Sequence, residues 1–140
     1  MRKFIPALLA VVAILGIVAV ADALIVTDSE KVSRFADEII EAEPGERIDR
    51  IIARTEGAES IELIVNRDRA RYSRGAASAI RRAFRPLGSD SVDVVQRTVN
   101  VEDQEALVAV RFEADGDYYN AEFHLSQVEG TWQLERLRIN

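Results

Sequence analysis

The stretch Glu-Ala-Leu-Val-Ala-Val-Arg-Phe-Glu-Ala at residues 105–114 decides the fold, because it alternates at the period of a β-strand. Apolar side chains occupy the even positions from Ala106 to Phe112, while Arg111 and Glu113 belong to the opposite face. The turn Asp115-Gly116-Asp117 follows directly, and a glycine beside an aspartate is typical of tight hairpins. The stretch therefore predicts an antiparallel hairpin strand with one buried face.

The neighbouring segments extend this hairpin into an antiparallel meander. Residues 91–101 are rich in valine, and residues 119–125 alternate in the same way as the first strand. A further strand is predicted for residues 131–139, where the apolar side chains change from even to odd positions. That change of phase predicts a β-bulge between Leu134 and Leu137, which would bend the strand.

The first half of the chain has the period of helices. Apolar residues recur at helical spacing over 29–42, and Thr27 with Glu30 has the spacing of a capping box. Pro44 suits the first turn of a second helix, which Gly57 ends. A third helix is predicted for residues 76–87.

One short hairpin separates the second and third helices. Its first strand is the β-branched run Ile61–Val65, and its second strand is predicted at residues 70–74. Residues 66–69 would form the turn. The predicted order of elements is therefore helix, helix, hairpin, helix and meander. This order is typical of an α+β fold, so we expect three helices on one face of a curved, mostly antiparallel sheet.

This element order resembles the nuclear transport factor 2-like superfamily, which includes ketosteroid isomerases and polyketide-cyclase-like proteins. The resemblance covers about residues 29–139 and is carried by Gly75-Ala76-Ala77-Ser78-Ala79-Ile80 and by Trp132-Gln133-Leu134 after Glu129-Gly130. It implies a cone-shaped domain with a cavity over residues 27–140. Since this superfamily includes enzymes, binding modules and assembly domains, the resemblance alone does not define a function.

The N-terminal segment predicts a membrane location. Residues 4–26 are apolar except for Asp22, follow Arg2 and Lys3, and have the length of a membrane-spanning helix. We therefore expect a single-pass anchor within residues 1–26 in the cytoplasmic (inner) membrane, with the C-terminal domain outside the cytoplasm. The alternative is a signal peptide that is cleaved near Ala23, after which the domain is exported. The anchored form resembles uncharacterised bacterial membrane-anchored members of the same superfamily.

The composition limits the chemistry of the domain. The chain has 0 cysteines, which excludes disulfides, thiol catalysis and cysteine metal sites. Its net charge of −6 argues against nucleic acid as a partner. We expect no metal and no cofactor.

Arginines concentrate between residues 67 and 85, where the only acidic residue is Asp68. Guanidinium groups suit carboxylates and phosphates, so this segment predicts a patch for an acidic partner protein or an anionic lipid headgroup. In the alternative interpretation these arginines lie on solvated faces and pair with acids of the chain itself. Pairing between basic and acidic faces of two copies would give a homo-oligomer. The candidate binding residues are Arg67, Arg69, Arg71, Arg74, Arg81, Arg82 and Arg85.

A second hypothesis is an enzyme of the isomerase, dehydratase or cyclase type with a pocket inside the cone. Strand parity directs His124, the only histidine, away from that pocket, and no carboxylate is predicted to face inward. We therefore favour a non-catalytic binding or assembly module. The pocket would be lined by Phe35, Ile39, Phe84, Phe112, Tyr119, Phe123 and Trp132, which are otherwise expected to be ordinary core.

Overall fold

A computed structural model describes residues 27–140, so the predicted anchor or signal peptide lies outside the described residues. Within the described part, none of the helices combines the length and the apolar character that crossing a bilayer requires. The helices are α1 (Asp28–Ile40), α2 (Arg47–Thr55) and α3 (Ala76–Ala83), with short 3-10 turns at Pro44–Glu46 and Arg85–Gly88. The strands are β1 (Ile61–Val65), β2 (Asp68–Tyr72), β3 (Val92–Glu102), β4 (Glu105–Ala114), β5 (Asp117–Val128) and β6 (Thr131–Ile139).

The six strands form one sheet in the order β2-β1-β6-β5-β4-β3. All neighbours are antiparallel except β1 and β6, which run parallel with Leu63 opposite Leu137. This confirms an α+β fold with three helices on a mostly antiparallel sheet. The parallel pair, which the sequence pattern did not predict, makes the sheet mixed, and the sheet is open with β2 and β3 at its edges.

Helix α1 begins at the predicted capping box. The Glu30 backbone N–H donates to Thr27 Oγ1 at 3.2 Å, and the Thr27 N–H donates to Glu30 Oε2 at 3.0 Å. These bonds satisfy donors that a helix start otherwise leaves free. The helix then buries Phe35 and Ile39 against the sheet, as its periodicity predicted.

Three predicted boundaries are wrong by a few residues. The turn of the short hairpin is only Asn66-Arg67, because Val65 pairs directly with Asp68, so β2 starts and ends earlier than predicted. Asn66 adopts a φ of 56°, which asparagine tolerates in tight turns. The third helix stops at Ala83, where Pro86 converts the remaining residues to a 3-10 turn.

The predicted β-bulge is confirmed. His124 pairs with Arg136 and Leu125 with Leu134, so Glu135 is the extra residue on β6. A second bulge, not predicted, lies on β3 where Val95 has no partner on β4 and is 53% exposed.

The core fills the space between the helices and the sheet. The ring of Phe123 contacts those of Phe35 and Phe84 at centroid distances of 5.6 and 5.7 Å. All three rings are at most 1% exposed. The void beside Phe123 measures about 10 Å³, close to the space of a single water molecule.

Candidate binding groove on the outer face of the sheet

Strand β1 directs a carboxylate to the sheet face opposite the helices, which we call the outer face. Ile61 and Leu63 belong to the core beneath the helices, and successive side chains on a strand point to opposite faces. Glu62, between them, therefore lies on the outer face. Its burial is unusual, because it is only 6% exposed and is the one buried charged residue of the described part.

Three arginines surround this carboxylate, and we call the four residues the Glu62 cluster. Arg136 on β6 donates from Nε to Glu62 Oε2 at 2.9 Å. Arg69 on β2 places Nε 2.9 Å from Glu62 Oε1, and Arg71 lies further away at 4.0 Å. The register explains the cluster, since Arg71 and Arg136 are the direct cross-strand partners of Glu62.

The arginines stabilise the charged form of Glu62. The hydrogen bond from Arg136 is the largest cause, and it lowers the pKa of the Glu62 carboxyl below its ordinary value of 4.5. Burial opposes this shift, while the charges of Arg136, Arg69 and Arg71 add to it. Glu62 is therefore an anion at neutral pH that orients the guanidinium groups.

The cluster carries more positive than negative charge. One carboxylate cannot occupy all the donors of three guanidinium groups, each of which has five N–H bonds. The side chains of Arg69 and Arg71 are 68% and 70% exposed, and that of Arg136 is 45% exposed. Their free donors face solvent and can bind a further carboxylate or phosphate.

A groove of about 730 Å³ adjoins the cluster, and we call it the outer groove. The loop of residues 57–60 borders it on one side. Two rows of side chains line it across neighbouring strands. The first row consists of Arg71, Glu62, Arg136 and His124, and the second consists of Glu105, Ser126 and Gln133. Glu135, the bulged residue of β6, accepts a hydrogen bond from the Ser126 hydroxyl.

The seven predicted arginines do not all lie together. Arg69 and Arg71 share the outer face with Arg136, which was not among the predicted residues. Arg67 lies in the hairpin turn and Arg74 in the bend after β2. Helix α3 packs on the other side of the sheet, and there Arg81 pairs with Asp49 of α2, while Arg82 and Arg85 are exposed.

Sequence reasoning missed Arg136 and Glu62. Glu62 interrupts the otherwise apolar run of β1. A single carboxylate in such a run is expected to be buried, and a buried carboxylate requires a positively charged or hydrogen-bonding partner, so this was a signal for the cluster. Arg136 could not be assigned, because its contact with Glu62 depends on the unpredicted parallel pairing of β1 with β6.

The predicted pocket-lining residues pack in the core. Phe35, Ile39, Phe84, Phe112, Phe123 and Trp132 are all at most 5% exposed. Tyr119 is partly buried and stacks on Phe112 at a centroid distance of 5.4 Å. Trp132 donates from Nε1 to Asp28 Oδ1 at 3.4 Å, which ties the start of α1 to β6.

His124 lies on the outer face, where strand parity placed it. Its Nε2 is 3.9 Å from Glu122 Oε2, and its side chain is 38% exposed. Within residues 27–140, no group of three or more side chains of the metal-ligating type converges on one point.

Comparisons with known proteins identify the fold. A candidate ketosteroid isomerase from Parabacteroides distasonis is similar with a TM-score of 0.60 at 8% identity, over 81% of this chain and 86% of that one. A protein of unknown function from Pseudomonas putida, described as nuclear transport factor 2-like, has a TM-score of 0.58 at 15% identity, over 80% and 84%. A DUF4783 family protein from Bacteroides uniformis has a TM-score of 0.53 at 14% identity, over 74% and 94%. These similarities show that the described domain has the nuclear transport factor 2-like fold.

The sequence itself gives no such match. No protein-family model and no curated protein matches the chain.

Proposed function

We propose that this chain is a non-catalytic binding module whose Glu62 cluster captures carboxylates of an acidic partner protein. The observation that carries the proposal is the excess of exposed guanidinium groups around one buried carboxylate. Arg69 and Arg71 need not be ordered by the ligand, because Glu62 already holds them near each other. Such preorganisation reduces the entropy lost on binding.

The charge of the whole chain favours a partner that contacts only the Glu62 cluster over an extended anionic surface such as a bilayer. The net charge is −6, so a bilayer rich in anionic lipid would be repelled by most of the domain. A carboxylate that reaches only the Glu62 cluster escapes most of that repulsion, since charges beyond about 8 Å are screened at physiological ionic strength. An acidic partner protein therefore fits better than an anionic headgroup.

The proposal includes the predicted location. Residues 4–26 would hold the domain at the outer surface of the cytoplasmic membrane, and their length and the preceding Arg2 and Lys3 support this. The bulges at Val95 and Glu135 support a sheet that curves into a cone around the core.

The enzyme alternative rests on the fold alone. The candidate isomerase has the same fold at 8% identity, and a shared fold does not imply a shared reaction. What favours a binding module is the position of the charged groups, because the Glu62 cluster lies on the outer face and the void beside Phe123 is bordered by apolar side chains.

A defined acidic ligand tests the proposal. Full-length protein in detergent micelles is titrated with a hexaglutamate peptide, with hexalysine as the control peptide. We expect the double variant Arg69→Gln/Arg71→Gln to weaken binding by about 10- to 100-fold, because two exposed ion pairs of about 1 kcal/mol each sum to roughly 2 kcal/mol. In the double variant, the affinity for hexaglutamate should also depend less on salt concentration.

The matched control is Arg82→Gln, an exposed arginine on α3 away from the cluster. It should bind hexaglutamate like the unaltered protein. Equal weakening by both variants would mean that binding reflects diffuse charge, and no weakening by the double variant would refute the site. Tighter binding to phosphatidylglycerol vesicles than to the peptide, abolished by the double variant, would instead assign the cluster to lipid.

A further inference from the structure

We propose that a second groove on the outer face of the sheet binds an acidic sugar, that is, a ring with several hydroxyl groups and one carboxylate. This groove measures about 310 Å³, and we call it the amide groove. Its volume lies at the lower end of the range of roughly 300–1,000 Å³ that small-molecule sites occupy. It shares no lining residue with the outer groove, so the inference is independent of the proposed function.

The register of the sheet builds the amide groove from two rows of side chains that cross from β3 to β6. The first row consists of Gln96, Arg111, Asn120 and Asn140. The second row runs from Thr98 on β3 to Arg138 on β6 and lies two residues away along the strands, or about 7 Å. Both rows face outward, because the alternate residues Val110, Ala121 and Ile139 belong to the core.

The backbone holds both rows in place. Asn140 directly follows β6, and its N–H donates to the carbonyl of Asn120 at 3.1 Å, while the Asn120 N–H donates to the carbonyl of Asn140 at 2.7 Å. Ala109 lies in the second row between Thr98 and Glu122, and its side chain is a single methyl group. The longer side chains around Ala109 therefore form the walls of a depression in the sheet face.

The neutral polar groups of the amide groove suit hydroxyl groups. The amides of Gln96, Asn120 and Asn140 and the hydroxyl of Thr98 can each donate and accept hydrogen bonds. Within residues 27–140, none of these four side chains forms a hydrogen bond to the protein. A sugar hydroxyl also donates and accepts, and one amide can donate to one hydroxyl of a ring and accept from the next.

Arg111 supplies a positive charge without a counter-charge. Among residues 27–140 it forms no ion pair, whereas Arg138 lies 3.8 Å from Glu122. The guanidinium of Arg111 lies over the ring of Tyr118, 5.4 Å from its centroid, and this contact orients it. A planar guanidinium that is oriented in advance suits the two oxygens of a carboxylate.

The combination of these groups selects the ligand. A neutral sugar would leave Arg111 without a counter-charge, and a carboxylate without hydroxyls would leave the amides and Thr98 without partners. Two arginines and one glutamate line the amide groove, so its charge is positive although the net charge of the chain is −6. An acidic sugar satisfies both the charge and the neutral groups.

Three related probes test the inference by isothermal titration with full-length protein in phosphocholine micelles, whose headgroups contain no sugar. The probes are methyl glucuronide, methyl glucoside, which lacks the carboxylate, and tetrahydropyran-2-carboxylate, which lacks the hydroxyls. We expect methyl glucuronide to bind at least tenfold more tightly than either of the other two. Equal binding of all three probes, or no binding of methyl glucuronide, would refute the inference.

Two variants assign the two kinds of contact. Arg111→Gln should lower the affinity for methyl glucuronide to that for methyl glucoside, because it removes the counter-charge. Asn120→Ala should weaken the binding of both sugars by about fivefold, the effect of one neutral hydrogen bond, and leave that of tetrahydropyran-2-carboxylate unchanged. Far-ultraviolet circular dichroism of each variant verifies that it is folded.

The matched control is Asn100→Ala, which removes an exposed amide of β3 that does not line the amide groove. It should leave all three affinities unchanged. If Asn100→Ala weakens the sugars as much as Asn120→Ala does, the inference is wrong.

The double variant Arg69→Gln/Arg71→Gln separates this inference from the proposed function. If it weakens the binding of methyl glucuronide and Arg111→Gln does not, the Glu62 cluster binds the carboxylate, so the amide groove is refuted while the proposed function stands. If Arg111→Gln weakens the binding of methyl glucuronide and the double variant changes neither this ligand nor hexaglutamate, the inference stands and the proposed function is refuted.

Discussion

Replacing Glu62 by glutamine removes the only negative charge from among three guanidinium groups while it keeps the shape of the side chain. Glutamine can still accept the hydrogen bond from Arg136, so the change isolates the charge. Removing one partner of a fully buried ion pair costs about 3–5 kcal/mol, whereas an exposed pair contributes roughly 0.2–1 kcal/mol. Glu62 is 6% exposed but the Arg136 side chain is 45% exposed, which places the expected loss between these limits, at about 2 kcal/mol.

The loss should depend on pH, and the sign follows from the lowered pKa. Because the folded protein holds the pKa of Glu62 below 4.5, the ionised carboxyl stabilises the fold at every pH above that value. This stabilisation disappears as the pH falls through the lower, folded-state pKa. The variant should therefore be less stable than the unaltered domain at pH 7 and nearly equal to it in strong acid.

Urea unfolding at several pH values, followed by the fluorescence of Trp132, measures this difference. At neutral pH the thermal midpoint should also fall by roughly 8 °C for a domain of this size. Glu122→Gln is the control. Glu122 lies on the same face of the sheet, but its carboxylate is partly exposed and 3.8 Å from Arg138. This substitution should change the free energy of unfolding by less than about 0.5 kcal/mol. An unchanged urea midpoint for Glu62→Gln at pH 7, or a deficit that persists undiminished at pH 3, would refute the reasoning.

Two further changes test the packing and the turns. Phe123→Ala should lower the free energy of unfolding in urea by about 3–5 kcal/mol, because the ring is 1% exposed and contacts two other phenylalanines. A decrease of less than about 1 kcal/mol would show that the core is not packed around Phe123. Gly130→Ala should cost about 1 kcal/mol because Gly130 has a φ of +79°, whereas Gly45→Ala, with an ordinary φ and open space around its Cα, should be neutral. Equal effects of the two glycine changes would contradict the role of backbone conformation.

Much of the sheet could be predicted because its side chains alternate. The even positions of β4 from Ala106 to Phe112 are apolar, and the shift of phase within β6 predicted a bulge between Leu134 and Leu137, where the structure has it at Glu135. These are local patterns, which a single sequence contains. The second bulge, at Val95, has a weaker form of the same signal, because the valines change from the even positions Val92 and Val94 to the odd positions Val99 and Val101. Polar residues occupy the positions between them, so the change of phase is less distinct than in β6.

The candidate site was only half predictable, because it depends on pairing between distant segments. The arginines of β2 were identified from their concentration in the sequence. Their partner Glu62 is close in sequence, but Arg136 is 74 residues away from it along the chain. The pattern of a single sequence does not reveal which strands become neighbours. It therefore could not predict that Arg136 contacts Glu62, or that Arg81 and Arg71 lie on opposite sides of the sheet.

The central position of β6 has a consequence for how the chain is made. Hairpin β1–β2 leaves the ribosome well before β6, yet among the strands of residues 27–140 only β6 connects this hairpin to β5 and the rest of the sheet. Until β6 emerges, the backbone N–H and C=O groups of β1 that will pair with β6 have no native partner. During that time another strand of the nascent chain, or another chain, can pair with this edge of β1 incorrectly. Assembly of the sheet is therefore a late event in the biosynthesis of this protein, and a premature stop codon before Thr131 would leave its two halves unconnected.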